Sequence, residues 1–210
     1  MQHSRGTFNG VSMPKSEQPE AVLMRTAMRV GHLPYSRGMH TSSLVVPELL
    51  FSDPEAIDLL SIDLAYKFRD DKIDVVVAPA PNADVLAKLT AKALYIWQDQ
   101  KISVRPIYAD RGTRREITFS FRAPFLPQLK EKRVLLVNDF MHSGKTILAL
   151  AEAVKKAGGH VVGCGVICHR GELTSELLGY PLRCLVEKRE ETWKTKDCPL
   201  CKQRIPLEKT

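Results

Sequence analysis

Three short, nearly uninterrupted apolar runs constrain this chain most: IDVVVA at 73–78, VLLVN at 134–138 and VVGCGVIC at 161–168. Runs of this length without polar alternation suit strands buried on both faces of a sheet. Helical patterns separate them. Asp53 and Pro54 form a helix start, an N-cap carboxylate followed by a proline at the first helical position. Ile57, Leu60, Leu64 and Phe68 then share one helix face. A second helix follows PAPNAD, with Val85, Leu86, Leu89 and Ala93 on one side, and TILALAEAVKKA at 146–157 is a third. ISVRPIY at 102–108 and RCLVE at 183–187 add strands, EITFSFR reads as a hairpin, and a short helix is expected near 174–178. The order is β-α-β, a long polar excursion over 109–131, then β-α-β-β. It predicts an α/β fold with a doubly wound parallel sheet. Ligands of such sheets sit at the carboxyl ends of the strands. The loops leaving those ends are 79–84, 109–122 and 138–146.

The rest of the chain is organised around this sheet. Residues 1–17 read as a flexible leader, 18–190 as the main domain and 191–210 as a C-terminal tail containing a CxxC. QPEAVLMRTAMRV at 18–30 has helical spacing, GHLPYSRGMHTSS is rich in turn residues, and LVV and ELLF around Pro47 read as short strands. At 210 residues, 44% hydrophobic and 26% charged, the chain suits one domain with a full core. There is no uncharged apolar run of ~18 residues for a membrane span and no apolar stretch of secretory type at the N-terminus. The net charge of +7 favours anionic partners. No zinc-finger, RGG or heptad pattern points to nucleic acid. Five cysteines without an export signal argue for reduced thiols in the cytoplasm. Cys164 and Cys168 lie in an apolar run and read as core residues.

The loop at 138–146 carries the chemistry. A strand leading directly into a helix points the first helical N–H groups outward, unsatisfied and partly positive, toward an anion. Gly144 permits a tight turn, Ser143 and Thr146 add hydroxyls, and Lys145 adds a charge. Gly144-Lys145-Thr146 completes the second half of a nucleotide-binding GxxxxGK[ST] loop. The first glycine of that motif would fall at 139, where Asp139 would repel a triphosphate. Asp139 also has a plainer reading as a helix N-cap, and Lys145 as a solvent-facing lysine of the first turn.

A strand of apolar residues, a polar-acidic pair, a small-residue loop and a helix together resemble the phosphoribosyl pyrophosphate motif of type I phosphoribosyltransferases. GHLPYSRGMHTSS with FSDPEAIDLL is similar to the N-terminal hairpin and first helix of orotate phosphoribosyltransferases. GVICHRGELTSELLGYPLRCLVE is similar to their strand and loop after the motif helix, and DCPLCKQRIPL to the tail of a group of orotate-phosphoribosyltransferase-like proteins. The resemblance covers roughly residues 18–207. It implies a type I fold with a small N-terminal hairpin or hood region, a homodimer, and Mg²⁺ bound with phosphoribosyl pyrophosphate. It also implies transfer of ribose 5-phosphate to a nitrogenous base, orotate or a related one, with release of pyrophosphate. Asn138 and Asp139 would then receive the ribose hydroxyls, and Met141, His142, Ser143, Gly144, Lys145 and Thr146 the 5′-phosphate. Pro81, Asn82 and Ala83, with Arg111, Arg114 and Arg115 from a hood loop, would face pyrophosphate. The arginines also read as a solvated charge run. The same resemblance admits a non-catalytic regulator that binds phosphoribosyl pyrophosphate.

The chain departs from the family pattern at four places. Asn138 replaces an acid, Lys145 a glycine and His142 a small hydroxyl residue, and Pro79 and Pro81 stand where glycines are usual. The tail adds a separate question. Cys198 and Cys201 have zinc-knuckle spacing, yet a structural zinc needs four ligands and there is no second CxxC. A second subunit's pair, Cys184 with a histidine, a Cys198–Cys201 disulfide, or a plain reduced pair are the alternatives. His32 and His40 read as turn and surface residues.

Overall fold

The computed structural model describes residues 17–81, 83–98, 103–112, 116–189 and 191–208; the leader expected over 1–17 lies almost wholly outside the described residues. The chain opens with helix α1 (Pro19–Thr26) and the strands β1 (Met28–Ser36) and β2 (Met39–Val45). Helices α2 (Pro47–Ser52) and α3 (Pro54–Lys67) lead to β3 (Val75–Pro79), α4 (Ala83–Trp97), β4 (Arg105–Arg111) and β5 (Phe119–Ser120). A single turn at Ala123–Phe125 and the short α5 (Leu126–Leu129) precede β6 (Arg133–Met141), α6 (Lys145–Lys156), β7 (His160–His169), α7 (Ser175–Leu178) and β8 (Leu182–Glu187). The strand β9 (Thr192–Lys194) and helix α8 (Pro199–Lys202) end the described chain.

The main sheet runs β5-β4-β3-β6-β7-β8, parallel throughout except for the edge strand β5. Strand residues alternate between two cores. Val76, Ala78, Leu135 and Val137 face α3 and α4, packing with Leu64, Phe68, Leu86 and Leu94. Val75, Val77, Val134 and Leu136 pack with Ile147, Leu150 and Val154 of α6 on the other side. Both faces are therefore covered, which is why these strands read as continuous apolar runs. The helix start at Asp53 is as the sequence predicts: its carboxylate accepts the Ala56 N–H at 3.0 Å. Val85, expected on the buried face of α4, is instead 38% exposed.

The N-terminal third differs from its expected local structure. The helix from 18 stops at Thr26, and Met28–Val30 belong to β1. The turn-rich segment is itself a hairpin, with Leu33 opposite Thr41 and Pro34 opposite His40. Pairing across Gly38 overrides its weak strand propensity. ELLF is helical in α2, with Pro47 in its first turn, the position proline favours. The tail strand β9 completes this sheet, with His40 opposite Trp193, so the second sheet runs β1-β2-β9. EITFSFR does not form its own hairpin; Phe119 and Ser120 pair back onto Arg111 and Asp110 of β4.

Candidate active site

The crevice that matters follows from connectivity. The chain leaves β3 into α4 on one face of the sheet and leaves β6 into α6 on the opposite face. β3 and β6 are parallel neighbours, with Val77 opposite Leu136. Where adjacent strands send their connections to opposite faces, the carboxyl ends part and leave a ligand-sized gap. Ala80 and Pro81 follow β3 and residues 142–144 follow β6 at this end of the sheet.

Strand β6 runs further than VLLVN predicts, continuing through Asp139 to Met141 by pairing with Cys168 and His169 of β7. The connection to α6 shrinks to His142, Ser143 and Gly144. Gly144 is the N-cap, at φ +70°, and the helix start has no side-chain cap. The first intrahelical bond runs from Leu148 N–H to the Gly144 carbonyl at 2.9 Å, so the N–H groups of the first turn face outward without a carboxylate on them. Glycine suits this turn. An L side chain is strained at this φ, and a Cβ would come within 2.2 Å of Leu173 Cδ2, from the loop that follows β7.

Because the cap is Gly144, Asp139 is not an N-cap, and its plainer reading falls away. The Asp139 Oδ1 accepts the Phe140 N–H at 2.7 Å. Burial pushes its carboxyl up from the ordinary range. The Phe140 and Asp139 N–H groups and the nearby Arg170 pull it back, while Glu48 of α2 raises it. Its neighbour behaves differently. Asn138 is 7% exposed and donates its amide to the Phe140 carbonyl at 2.8 Å. The two residues that the sequence pairs as sugar ligands are thus separated: Asn138 braces the strand end and Asp139 stands half-buried at the crevice.

The remaining expected residues divide similarly. Met141 is buried, its carbonyl accepts the Arg170 N–H at 2.8 Å, and its sulfur packs by Gly144, 3.9 Å from where a Cβ would stand. His142, Ser143 and Lys145 are exposed and Thr146 is half-buried. Pro81 is exposed and follows a cis Ala80–Pro81 bond, whereas Ala83 packs into the core, its N–H bonded to the Pro81 carbonyl at 3.1 Å. Arg111 is exposed at the end of β4. Asn82, Arg114 and Arg115 lie outside the described residues.

Arg170, Glu48 and Leu173 were not singled out as site residues from the sequence. The Arg170 guanidinium lies 5.4 Å from the Phe140 ring centroid. Arg170 belongs to the HRGEL segment, whose loop folds back over residues 142–144: a Cβ on Gly171 would meet the His142 carbonyl oxygen at 2.0 Å. A cleft of about 480 Å³ opens beyond this loop, between His169, Leu173, Thr174, Cys184 and Glu187. It lies on the β7–β8 side of the loop, away from the gap between β3 and β6. Glu172, Glu176 and Glu187 line it together with Lys188 and Arg189, and Arg189 pairs with Glu172 at 3.4 Å.

A second cluster stands apart from this crevice. His32, His40, Cys198 and Cys201 bring their ligand atoms within 4.8 Å of one another. Both histidines are buried, at 3% and 8% exposure, rather than on the surface as their turn-rich context suggests. Cys164 and Cys168 are fully buried core residues, as expected, and burial pushes the Cys164 thiol up to about 12.

The fold and the crevice define the class first: a doubly wound α/β protein that presents an uncapped helix start and a half-buried carboxylate at its switch point. Comparison with known proteins makes this specific. The family model of the phosphoribosyl transferase domain matches residues 52–201. The orotate phosphoribosyltransferase of Caldanaerobacter subterraneus subsp. tengcongensis is 32% identical over 85% of this chain and 87% of its own length. That of Pelotomaculum thermopropionicum is 32% identical over 90% of this chain and 93% of its own. Among solved structures, the orotate phosphoribosyltransferase of Mycobacterium tuberculosis H37Rv superposes with a TM-score of 0.63 at 18% identity, covering 81% of this chain and 95% of that one. The chain belongs to the phosphoribosyltransferase family, and its relatives along most of its length are orotate phosphoribosyltransferases.

Proposed function

We propose that this protein transfers ribose 5-phosphate from phosphoribosyl pyrophosphate to orotate or a closely related base, releasing pyrophosphate. The observation that carries the site assignment is the sequence of groups at the end of β6: the half-buried Asp139, then the uncapped start of α6 at Gly144. The 5′-phosphate is received by the outward N–H groups of that first turn, with the Ser143 and Thr146 hydroxyls and the Lys145 ammonium beside them. The Asp139 carboxylate accepts the ribose hydroxyls. By the family resemblance, Arg111, Arg114 and Arg115, with Pro81 and Asn82, are assigned to the pyrophosphate.

The reaction breaks the bond between C1 and the pyrophosphate oxygen, which leaves with the electron pair. A base nitrogen then donates its pair to C1. The protein contributes position and charge. On this reading Asp139 stabilises positive charge developing on the sugar, and the arginines neutralise negative charge growing on the leaving group. Magnesium fits this crevice by donor type, a carboxylate oxygen alongside substrate phosphates, and when bound it supplies charge neutralisation at the pyrophosphate. Asp139 is the residue that would hold it. The cysteine- and histidine-rich cluster is the wrong donor set for magnesium.

The homodimer and cytoplasmic location belong to the same proposal. They are supported by the family resemblance. The test is pyrophosphate release from phosphoribosyl pyrophosphate with Mg²⁺, offering orotate, uracil, adenine and hypoxanthine in turn. Release is expected with orotate alone. Binding of the donor without release for any base would overturn the transferase reading in favour of a ligand-sensing regulator.

A further inference from the structure

The cluster of His32, His40, Cys198 and Cys201 lies outside the chemistry described so far. Its four members come from distant parts of the chain. His32 is on β1, His40 on β2, Cys198 caps α8 and Cys201 sits within it. The separations of the contacting pairs reach 169 residues. Cys198 is fully buried, so these groups meet in an interior.

The distances have the shape of a coordination shell. Cys198 Sγ and Cys201 Sγ each lie 3.6 Å from His32 Nε2, and Cys201 Sγ lies 3.3 Å from His40 Nδ1. His32 Nε2 and His40 Nδ1 are 2.9 Å apart. A tetrahedral ion with bonds of ~2.05 Å to nitrogen and ~2.3 Å to sulfur sets edges of about 3.3 Å between nitrogens and about 3.6 Å between nitrogen and sulfur. The observed set needs only small outward shifts to accept one.

The outer contacts show which distal nitrogens donate, and so which nitrogens carry the lone pairs of neutral rings. His32 Nδ1 lies 2.7 Å from the Ile205 carbonyl oxygen, which can only accept, so Nδ1 bears the proton and Nε2 the lone pair. Thr195 Oγ1 donates to the Gly38 carbonyl at 3.2 Å, which leaves it to accept from His40 Nε2 at 3.4 Å. The lone pair of His40 is then on Nδ1. With both rings neutral, two lone pairs face each other at 2.9 Å, with two sulfurs beside them. This arrangement is repulsive unless a positive charge lies between them. A carbonyl or hydroxyl accepting from the distal nitrogen of each histidine is also how metal-bound histidines are oriented.

We propose that these four side chains form a closed, structural His₂Cys₂ zinc site that clamps the C-terminal tail onto the N-terminal hairpin. Donor type selects the metal: two thiolates and two imidazoles in a tetrahedral set suit zinc. All four positions are filled by protein, so the ion has no open place for substrate. The surroundings fit a clamp. β9 pairs with β2, Glu208 N–H donates to the His32 carbonyl at 2.8 Å, and Arg29 meets Glu208 at 3.2 Å. The ion would make residues 195–208 part of the folded domain.

The test is metal analysis of the full-length protein by mass spectrometry after purification without chelator. About one zinc per chain is expected, falling to background in Cys198→Ser/Cys201→Ser and retained in Cys184→Ser. Since the double variant can fail through misfolding, the full chain is also refolded with cobalt(II). Intense visible bands of tetrahedral cobalt with thiolate charge transfer are expected, and His40→Asn should shift or abolish them. Metal-free protein that binds no cobalt would overturn the site. So would a Cys198–Cys201 disulfide in freshly purified protein, or metal that the cysteine substitutions leave in place.

Discussion

The carboxyl end of the large sheet and the small β1-β2-β9 sheet are built on opposite plans. At the large sheet, the groups proposed to hold the ribose phosphate come from one contiguous stretch, Asp139 to Thr146. Backbone geometry does most of the work there: a strand end, a left-handed glycine and a helix start. At the small sheet, four side chains from β1, β2 and α8 meet, and the backbone contributes little beyond orientation. The first arrangement leaves donors open toward a ligand. The second closes donors on one another. The difference teaches where to look for each role: an open set of backbone donors suits a substrate that must leave, and a closed set of side chains suits an ion that stays.

If this division is right, damage to the two regions separates activity from stability. The largest effect is expected at Asp139. Asp139→Asn should lower kcat/KM for phosphoribosyl pyrophosphate by roughly 10²–10³-fold in a steady-state assay, the usual scale for losing one transition-state partner. Stability should move the other way. Burial raises the Asp139 pKa in the folded chain. Between the unfolded and folded values the folded state therefore holds more protons, and stability falls as pH rises through that window. Removing the charge should raise Tm at neutral pH, with the gain vanishing as pH drops below the ordinary carboxylate range.

Gly144→Val should come next. It forces a branched residue to φ +70° and drives a Cβ into Leu173, at a cost of about 1–3 kcal/mol in local strain. Calorimetry should show donor affinity at least about tenfold weaker, since the N–H groups of the first turn no longer converge. Cys198→Ser/Cys201→Ser should give the converse pattern. A loss of ~2 kcal/mol would lower Tm by about 4–8 °C, while kcat at low temperature stays near that of the unaltered protein. A comparable fall in kcat would break the separation between the two regions. The smallest effect is expected for Lys145→Ala. The side chain is exposed, so a weakening of about fivefold that fades at high salt is expected.

The same contrast explains what the sequence makes legible. The buried strands of the large sheet are visible because covering both faces demands unbroken apolar runs, and the Asp53 cap is visible because its chemistry is local. The phosphate loop is visible for the same reason, being contiguous. Its exact frame is not: β6 extends to Met141 only because β7 offers pairing partners, and no residue between 138 and 141 announces that. The division between Asn138 and Asp139 also depends on tertiary burial. Arg170 and Leu173 reach the loop from the far end of β7, beyond local pattern. The histidine–cysteine cluster is the extreme case. CxxC supplies half a site in plain view, but its other half is on a hairpin whose turn-rich sequence disguises two strands. Only pairing of β9 with β2 brings His40 to Cys201.

The most direct measurement is a calorimetric titration of the full chain with phosphoribosyl pyrophosphate, with and without Mg²⁺, repeated on Asp139→Asn. Saturable, Mg²⁺-dependent binding that the substitution weakens strongly is expected if the end of β6 is a ribose-phosphate site. Absence of binding at millimolar ligand, or binding indifferent to Asp139, would contradict that assignment.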